Sequence, residues 1–245
     1  MKQGEFIITE NSPLTGSIYR MRLAGDTSAI TRPGQFIDLR LDGFFLRRPI
    51  SVCDWDDSSV TILYKVLGRG TEQMTSFPVG KKLNALTGLG NGFDTADAGD
   101  RPLLIGGGVG TPPMYALAKE LTAAGKETTV ILGFNTREEI FFRQEFLDLG
   151  AKVIVTTADG SFGVRGFVTD ALDGLEYSYY FCCGPEPMLK AVWKRAAASG
   201  QLSFEERMGC GFGACMGCSC KTLTGYKRIC RDGPVLRKEE IAWED

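Results

Sequence analysis

A chain of 245 residues is long enough for about two domains, each with its own core. Its 43% hydrophobic and 24% charged residues are those of an ordinary soluble globular protein, and a formal net charge of −2 without a basic block speaks against a nucleic-acid binder. No apolar run approaches the roughly 20 residues of a membrane span, and the N-terminal stretch lacks the apolar core of an export signal, so a cytoplasmic location is expected.

Up to about residue 94 the chain reads as β structure. Short, often alternating runs at 6–9, 18–23, 35–41, 49–53 and 60–66 are separated by Gly, Pro and Asp clusters. Such spacing predicts a sandwich or a small barrel, with one helical interruption at 71–77. The polar stretch 95–100 follows as a linker, and then the pattern changes. Runs at 103–105, 128–134, 152–156 and 179–184 read as strands. Between them, Met114, Leu117, Ala118 and Leu121 repeat at helical spacing behind Pro112 and Pro113, and another helix runs through Met188, Leu189 and Val192. Strands alternating with helices predict a doubly wound parallel sheet. From about residue 203 the chain becomes rich in glycine and cysteine.

In that last segment Cys210, Cys215, Cys218 and Cys230 are spaced C-x4-C-x2-C-x11-C. The first three follow the plant-type ferredoxin spacing, which predicts thiolate ligation of a [2Fe–2S] cluster. The glycines interspersed among them let the backbone wrap closely around sulfur. The chain has no histidine, which removes Rieske-type ligation, mixed Cys/His zinc sites and every His-based catalytic dyad or triad. A four-cysteine zinc site, which usually presents two short knuckles, and unligated or disulfide-bonded cysteines remain the alternatives. Cys220 is a fifth thiol in the motif; the x4/x2 spacing favours Cys218, and Cys220 reads as a packed non-ligand. Thiolate ligands and unpaired cysteines suit a reducing compartment.

Two turns follow predicted strands. Gly106, Gly107, Gly108, Val109, Gly110 and Thr111 lie between a strand and a helix start, where a dinucleotide pyrophosphate is held by free N–H groups and the helix dipole. The same glycines would equally make a plain tight turn. No carboxylate directly follows the strand ending at Phe134 to hold a ribose 2′-OH; Glu138 and Glu139 come slightly late, and Arg137 suits a 2′-phosphate, leaving NAD or NADP open. Cys183 and Gly184 end another strand, either at a ligand edge or simply in a turn with a buried cysteine. In the β region, Arg48 can pair with a phosphate, Ser51 offers a small donor, and Gly70-Thr71 can open a helix onto an anion. Each of these alone is an ordinary strand or turn.

Taken in order, Pro-Gly-Gln-Phe at 33–36, Arg-Pro-Ile-Ser at 48–51, Gly70-Thr71, the glycine turn and Cys-Gly-Pro-Glu-Pro-Met at 183–188 resemble the ferredoxin–NADP reductase superfamily. Leu-Gly-Asn-Gly-Phe at 89–93, the cysteine segment and Cys-Arg-Asp-Gly-Pro at 230–234 narrow the resemblance to the electron-transfer subunits of NAD-dependent dihydroorotate dehydrogenases. The resemblance implies an antiparallel FAD-binding β-barrel at 1–98, an NAD-binding α/β domain at 99–202, and an irregular [2Fe–2S] segment at 203–245. Arg48, Pro49, Ile50, Ser51, Leu63, Tyr64, Lys65, Gly70 and Thr71 would contact FAD, with Ser51 near flavin N5, while Cys183 would border the nicotinamide. Ile50 stands where the wider superfamily commonly has an aromatic residue. The implied partner is an FMN-containing catalytic subunit, two of each chain assembling. A subunit exchanging electrons with ferredoxin or a hydrogenase is the nearest alternative reading, and a zinc-stabilised binding module is the non-redox one.

Overall fold

The computed structural model describes residues 1–243; Glu244 and Asp245, the end of the predicted cluster segment, lie outside the described residues. Strands β1 (Lys2–Pro13), β2 (Ile18–Ala24), β3 (Phe36–Leu39), β4 (Arg48–Trp55) and β5 (Ser59–Lys65), helix α1 (Arg69–Thr75) and strand β6 (Lys82–Leu89) make the first unit. The strands close into an antiparallel barrel in the order β1-β2-β5-β4-β3-β6. Closure decides between sandwich and barrel, and it depends on β6, a strand the hydrophobic pattern does not reveal. Asn84, Thr87 and Gly88 break its alternation, yet it pairs with both β1 and β3. Alternate residues fill the interior, among them Phe6, Ile8, Met21, Leu23, Ile37, Leu39, Ile62 and Tyr64. Each such side chain contributes roughly 1.5–3 kcal/mol on leaving water.

The second unit begins with β7 (Pro102–Gly107) and α2 (Thr111–Ala123), then β8 (Thr129–Phe134), α3 (Arg143–Asp148), β9 (Lys152–Thr157) and the short β10 (Val164–Arg165). It continues through β11 (Tyr179–Cys183), α4 (Glu186–Arg195) and β12 (Gly200–Ser203). These strands pair in parallel in the order β10-β9-β8-β7-β11-β12. β7 is buried along its whole length, as a central parallel strand must be. The chain winds outward from β7 to β10, then returns to place β11 on the other side of β7. That reversal opens a crevice at the C-terminal ends of β7 and β11, the usual ligand edge of such a sheet.

The C-terminal segment carries a hairpin, β13 (Ser219–Thr222) and β14 (Gly225–Arg228), and then β15 (Val235–Arg237), which adds antiparallel to β12 at the sheet edge. Two apolar layers hold the units together. On one side of the sheet α2 packs Met114, Leu117 and Leu121 with Ile18, Cys53, Leu63 and Phe93 of the barrel region. On the other side Leu103, Ile105, Leu189 and Val192 join Phe36, Leu86 and Leu89 of the barrel with Cys218, Ile229 and Cys230 of the cysteine lobe. Among the described residues no helix is long and apolar enough to cross a membrane.

Candidate functional site

The cysteine lobe brings its four predicted ligands together as two pairs. Cys210 and Cys215 are neighbours whose thiols act on one another, as are Cys218 and Cys230. The hairpin β13–β14 occupies most of the eleven-residue spacer and folds Cys230 back to Cys218; the Cys230 N–H points at the Cys218 sulfur at 3.4 Å. Around Cys210 the backbone donates twice more, from Ala214 N–H at 3.2 Å and Cys215 N–H at 3.4 Å. Gly211 and Gly213 make this wrap possible at φ values of +77° and +91°. Burial acts to raise the Cys210 pKa, but the backbone N–H groups of Cys215 and Phe212 outweigh it and hold the thiol below its ordinary value, ready to become a thiolate. Burial drives Cys230 the other way, reinforced by the adjacent Cys218 thiol.

Among the described residues no three His, Cys, Asp or Glu side chains stand together as ligands of a single ion. A [2Fe–2S] cluster asks for something different, two thiolates on each of two irons, and that is the arrangement of these pairs. The donor set fits the cluster. Cys218 and Cys230 are buried, Cys210 is half-buried and Cys215 is exposed, so one end of the site reaches the surface. Cys220 is half-buried on β13 and packs beside the apolar layer, with burial first among the causes that raise its pKa.

At the sheet crevice the two predicted turns are in direct contact. A Cβ on Gly110 would lie 2.1 Å from the Cys183 carbonyl oxygen, and one on Gly107 would lie 2.3 Å from Met188 Sδ. Glycine is therefore required at 110 for close packing as well as for any ligand, whereas at 107 the flexible Met188 side chain can give way. Gly108, by contrast, has a φ of +51° and open space where a side chain would be. Val109 is exposed beside it, and the buried Thr111 hydroxyl finds no partner among the described residues. The Gly108–Gly110 turn also abuts β5, so the crevice opens toward the barrel. Cys183 sits opposite Gly106 and Ser203 in the sheet; burial pushes its thiol up to about 12, leaving it a neutral packing group. At the end of β8, Glu139 turns back to accept hydrogen bonds from the Asn135 N–H at 3.1 Å and its Nδ2 at 2.9 Å. The late carboxylate thus reaches the strand end. Arg137 is engaged elsewhere, donating to the Ser161 carbonyl and lying over Phe162.

The predicted flavin residues divide between the two faces of the barrel wall. Arg48 packs over the Phe44 ring at 4.5 Å and donates to the Leu46 carbonyl at 2.7 Å. A Cβ on Gly70 would lie 2.3 Å from the Arg48 Nε, which joins this arginine to the start of α1. The Thr71 hydroxyl accepts from the Leu67 and Gly68 N–H groups and fixes that start. Ser51 pairs with Phe36 across β3 and β4, and Pro49 with Asp38; directly opposed residues share a face, here the outer one. Ile50 instead packs at the edge of the barrel core. Tyr64 is buried inside the barrel with its hydroxyl on Asn11, so it can meet a ligand only through its main chain. Leu63 faces the α2 layer, and Lys65 ends β5 half-buried.

Two groups at this junction have no role predicted from sequence, although Asn91 stands within the Leu-Gly-Asn-Gly-Phe motif at 89–93. Asp38 is buried against the cysteine loop, and Asn91 ties the barrel's last loop to that lobe, exchanging hydrogen bonds with Val235 (Nδ2 to O 2.8 Å, N–H to Oδ1 3.1 Å). No local pattern marks Asp38, and the motif around Asn91 does not say what its side chain binds, since both acquire meaning only when the C-terminal lobe covers the barrel.

An antiparallel barrel, a nucleotide-type crevice facing it and a paired-cysteine lobe define an oxidoreductase of the ferredoxin reductase type. Comparison with known proteins agrees. The iron–sulfur cluster binding domain of dihydroorotate dehydrogenase B matches residues 205–242, and the oxidoreductase NAD-binding domain matches residues 104–194. The chain is 39% identical to the electron transfer subunit of dihydroorotate dehydrogenase B (NAD(+)) of a Geobacillus species, over 98% of this chain and 99% of that one. It is 40% identical to the subunit of the same name from Bacillus velezensis, over 99% and 100%. Among solved structures, an NADH-dependent reduced ferredoxin–NADP oxidoreductase studied for flavin-based electron bifurcation superposes with a TM-score of 0.88 at 28% identity, covering 97% of this chain and 90% of that one. A ferredoxin NADP+ reductase from Neisseria gonorrhoeae shares the fold at a TM-score of 0.69 and 16% identity, over 80% of this chain and 90% of that one. The chain belongs to the family of electron transfer subunits of NAD(+)-dependent dihydroorotate dehydrogenase B.

Proposed function

We propose that this chain receives electrons from the flavin of a catalytic dihydroorotate dehydrogenase subunit and relays them through a [2Fe–2S] cluster and FAD to NAD+. The observation that carries the reading is the shared wall. Phe36 faces the layer that holds Cys218 and Cys230, and its cross-strand partner Ser51 lies on the same outer face. A flavin at Ser51 and a cluster in the lobe would therefore be neighbours. When bound, FAD links the one-electron cluster to the two-electron nicotinamide, a conversion neither of those makes alone.

The chain's residues supply position and charge. Cys210, Cys215, Cys218 and Cys230 would hold the irons, with the Ala214, Cys215 and Cys230 N–H groups donating to ligand sulfurs and helping set the potential. Arg48 and the Gly70–Thr71 turn would bind the FAD phosphates, and the Ser51 hydroxyl would lie beside flavin N5. Gly106 to Thr111 would seat the pyrophosphate of NAD, and the neutral Cys183 thiol would pack beside the nicotinamide. Glu139, returned to the strand end, suits a free ribose hydroxyl and disfavours a 2′-phosphate, which supports NAD over NADP. The segments 1–98, 99–202 and 203–245 would carry FAD, NAD and the cluster in turn. Two copies of each subunit would assemble in the cytoplasm, and light scattering of the co-purified complex gives that stoichiometry.

An anaerobic NADH titration of the isolated chain tests the relay. Bleaching of both the flavin bands and the broad iron–sulfur envelope is the expected result. A colourless protein from a fully loaded preparation would overturn it and favour a zinc-stabilised module. The likeness to the ferredoxin-linked oxidoreductase supports a second reading, electron exchange with ferredoxin. Co-purification with a larger iron–sulfur protein, in place of a dihydroorotate dehydrogenase subunit, would select it.

A further inference from the structure

All four residues of β3 are buried, although the outer face of a barrel strand ordinarily meets water. Ile37 and Leu39 fill the barrel, while Phe36 and Asp38 face outward beneath the cysteine lobe. Phe36 is an apolar contact that needs no explanation. Asp38 is a carboxylate only 2% exposed, and its Oδ1 has no hydrogen-bond partner among the described residues. A Cβ on Gly211 would stand 2.5 Å from its Oδ2, so the carboxylate presses on the backbone next to Cys210. Burial acts against its charge, and the nearby Arg47 and Arg48 guanidinium groups favour it without hydrogen-bonding to it. Arg47 donates to the Asp38 and Asn84 carbonyls and to Asn84 Oδ1, and Arg48 donates to the Leu46 and Arg47 carbonyls. A buried, unpaired carboxylate is costly, and a neutral residue would pack this wall better. Its place against the cluster loop calls for a role in which the charge matters.

We infer that Asp38 is a tuning residue, a fixed negative charge set against the Cys210–Cys215 loop that lowers the reduction potential of the cluster those cysteines hold. The inference rests on the cluster assignment proposed above. Its mechanism is Coulombic. One electron arriving at the cluster adds negative charge beside a negative charge, across a wall that water and salt screen poorly. No bond is made or broken. The cluster is thereby biased toward passing its electron on.

The test is an EPR-monitored redox titration at pH 8 of the full chain carrying cluster and FAD, with dithionite as reductant and soluble mediators. Wild type is compared with Asp38→Asn and Asp38→Ala. Both variants should keep the visible circular dichroism of the cluster. At the wild-type midpoint, the ratio of reduced to oxidised cluster should rise about tenfold, a shift of ~59 mV upward for a one-electron couple. Similar shifts in the two variants identify the charge, not the shape, as the cause. An unchanged midpoint with an intact cluster overturns the inference and leaves the relay standing. Loss of the cluster from both variants also overturns it, by making Asp38 structural; if one variant keeps the cluster, that variant decides. A wild-type chain that takes up no cluster removes the relay reading and this inference together.

Discussion

At the scale of single residues, sulfur and glycine carry different kinds of information. The spacing of Cys210, Cys215 and Cys218 was readable as a ligand pattern because one loop wraps one cluster, so proximity in sequence becomes proximity in space. Replacing the exposed Cys215 by Ser should remove or destabilise the cluster, whereas Cys220→Ser should leave the visible spectrum nearly intact. Loss of the spectrum in the Cys220 variant would reassign the ligands. Gly110 reads from the sequence as a glycine of a phosphate-binding or plain tight turn, yet a Cβ there meets the Cys183 carbonyl at 2.1 Å, a contact between backbones that no rotamer change relieves. Gly110→Ala should weaken NADH binding by roughly tenfold or more, equivalent to ~1–3 kcal/mol of overpacking. Steady-state diaphorase kinetics with an unchanged KM for NADH would contradict that. Asp38 was not readable at all, since an aspartate in a barrel strand looks like an ordinary solvent-facing residue until the lobe is in place.

Among the elements, those with long apolar runs were evident from sequence, and those defined by pairing were not. β7 and β8 are nearly continuous apolar segments because both faces of a central parallel strand are covered. β6 carries Asn84 and Gly88 within it, β12 is four residues long, and α3 only six. Such short or interrupted elements are specified by their neighbours more than by their own periodicity. The spacer between Cys218 and Cys230 shows the same limit, as its hairpin is what turns a distant cysteine into an adjacent one. The attachment of the lobe to the barrel is tested at Asn91. Asn91→Ala removes its side-chain hydrogen bonds with Val235 and should lower stability by about 1–3 kcal/mol. A thermal melt of the loaded protein that does not shift would show that this contact is not a fastening.

At the scale of the molecule, packing orders the candidate centres differently from the chain, setting the first unit, the barrel, between the other two. The crevice between β7 and β11 faces the barrel, α2 lies along β4 with Lys119 paired to Asp54 at 2.9 Å, and the cysteine lobe covers the outer face of β3. The barrel thus stands between the crevice and the cysteine lobe, which is the sequence the proposed relay needs. The sequence motifs named these sites one by one; their adjacency came from the packing of β3, the hairpin and β15, which no motif encodes. The chain by itself should not oxidise dihydroorotate, because the proposed relay begins on the flavin of a catalytic partner. The most direct measurement is dihydroorotate-driven reduction of NAD+ by the reconstituted complex, with wild-type and Cys215→Ser electron-transfer chains compared alongside their NADH-to-ferricyanide activity. Loss of the dihydroorotate-driven reaction, with the direct flavin reaction retained, is what the relay predicts. NAD+ reduction that continues at the wild-type rate without the cluster, or dihydroorotate turnover by the isolated chain, would contradict it.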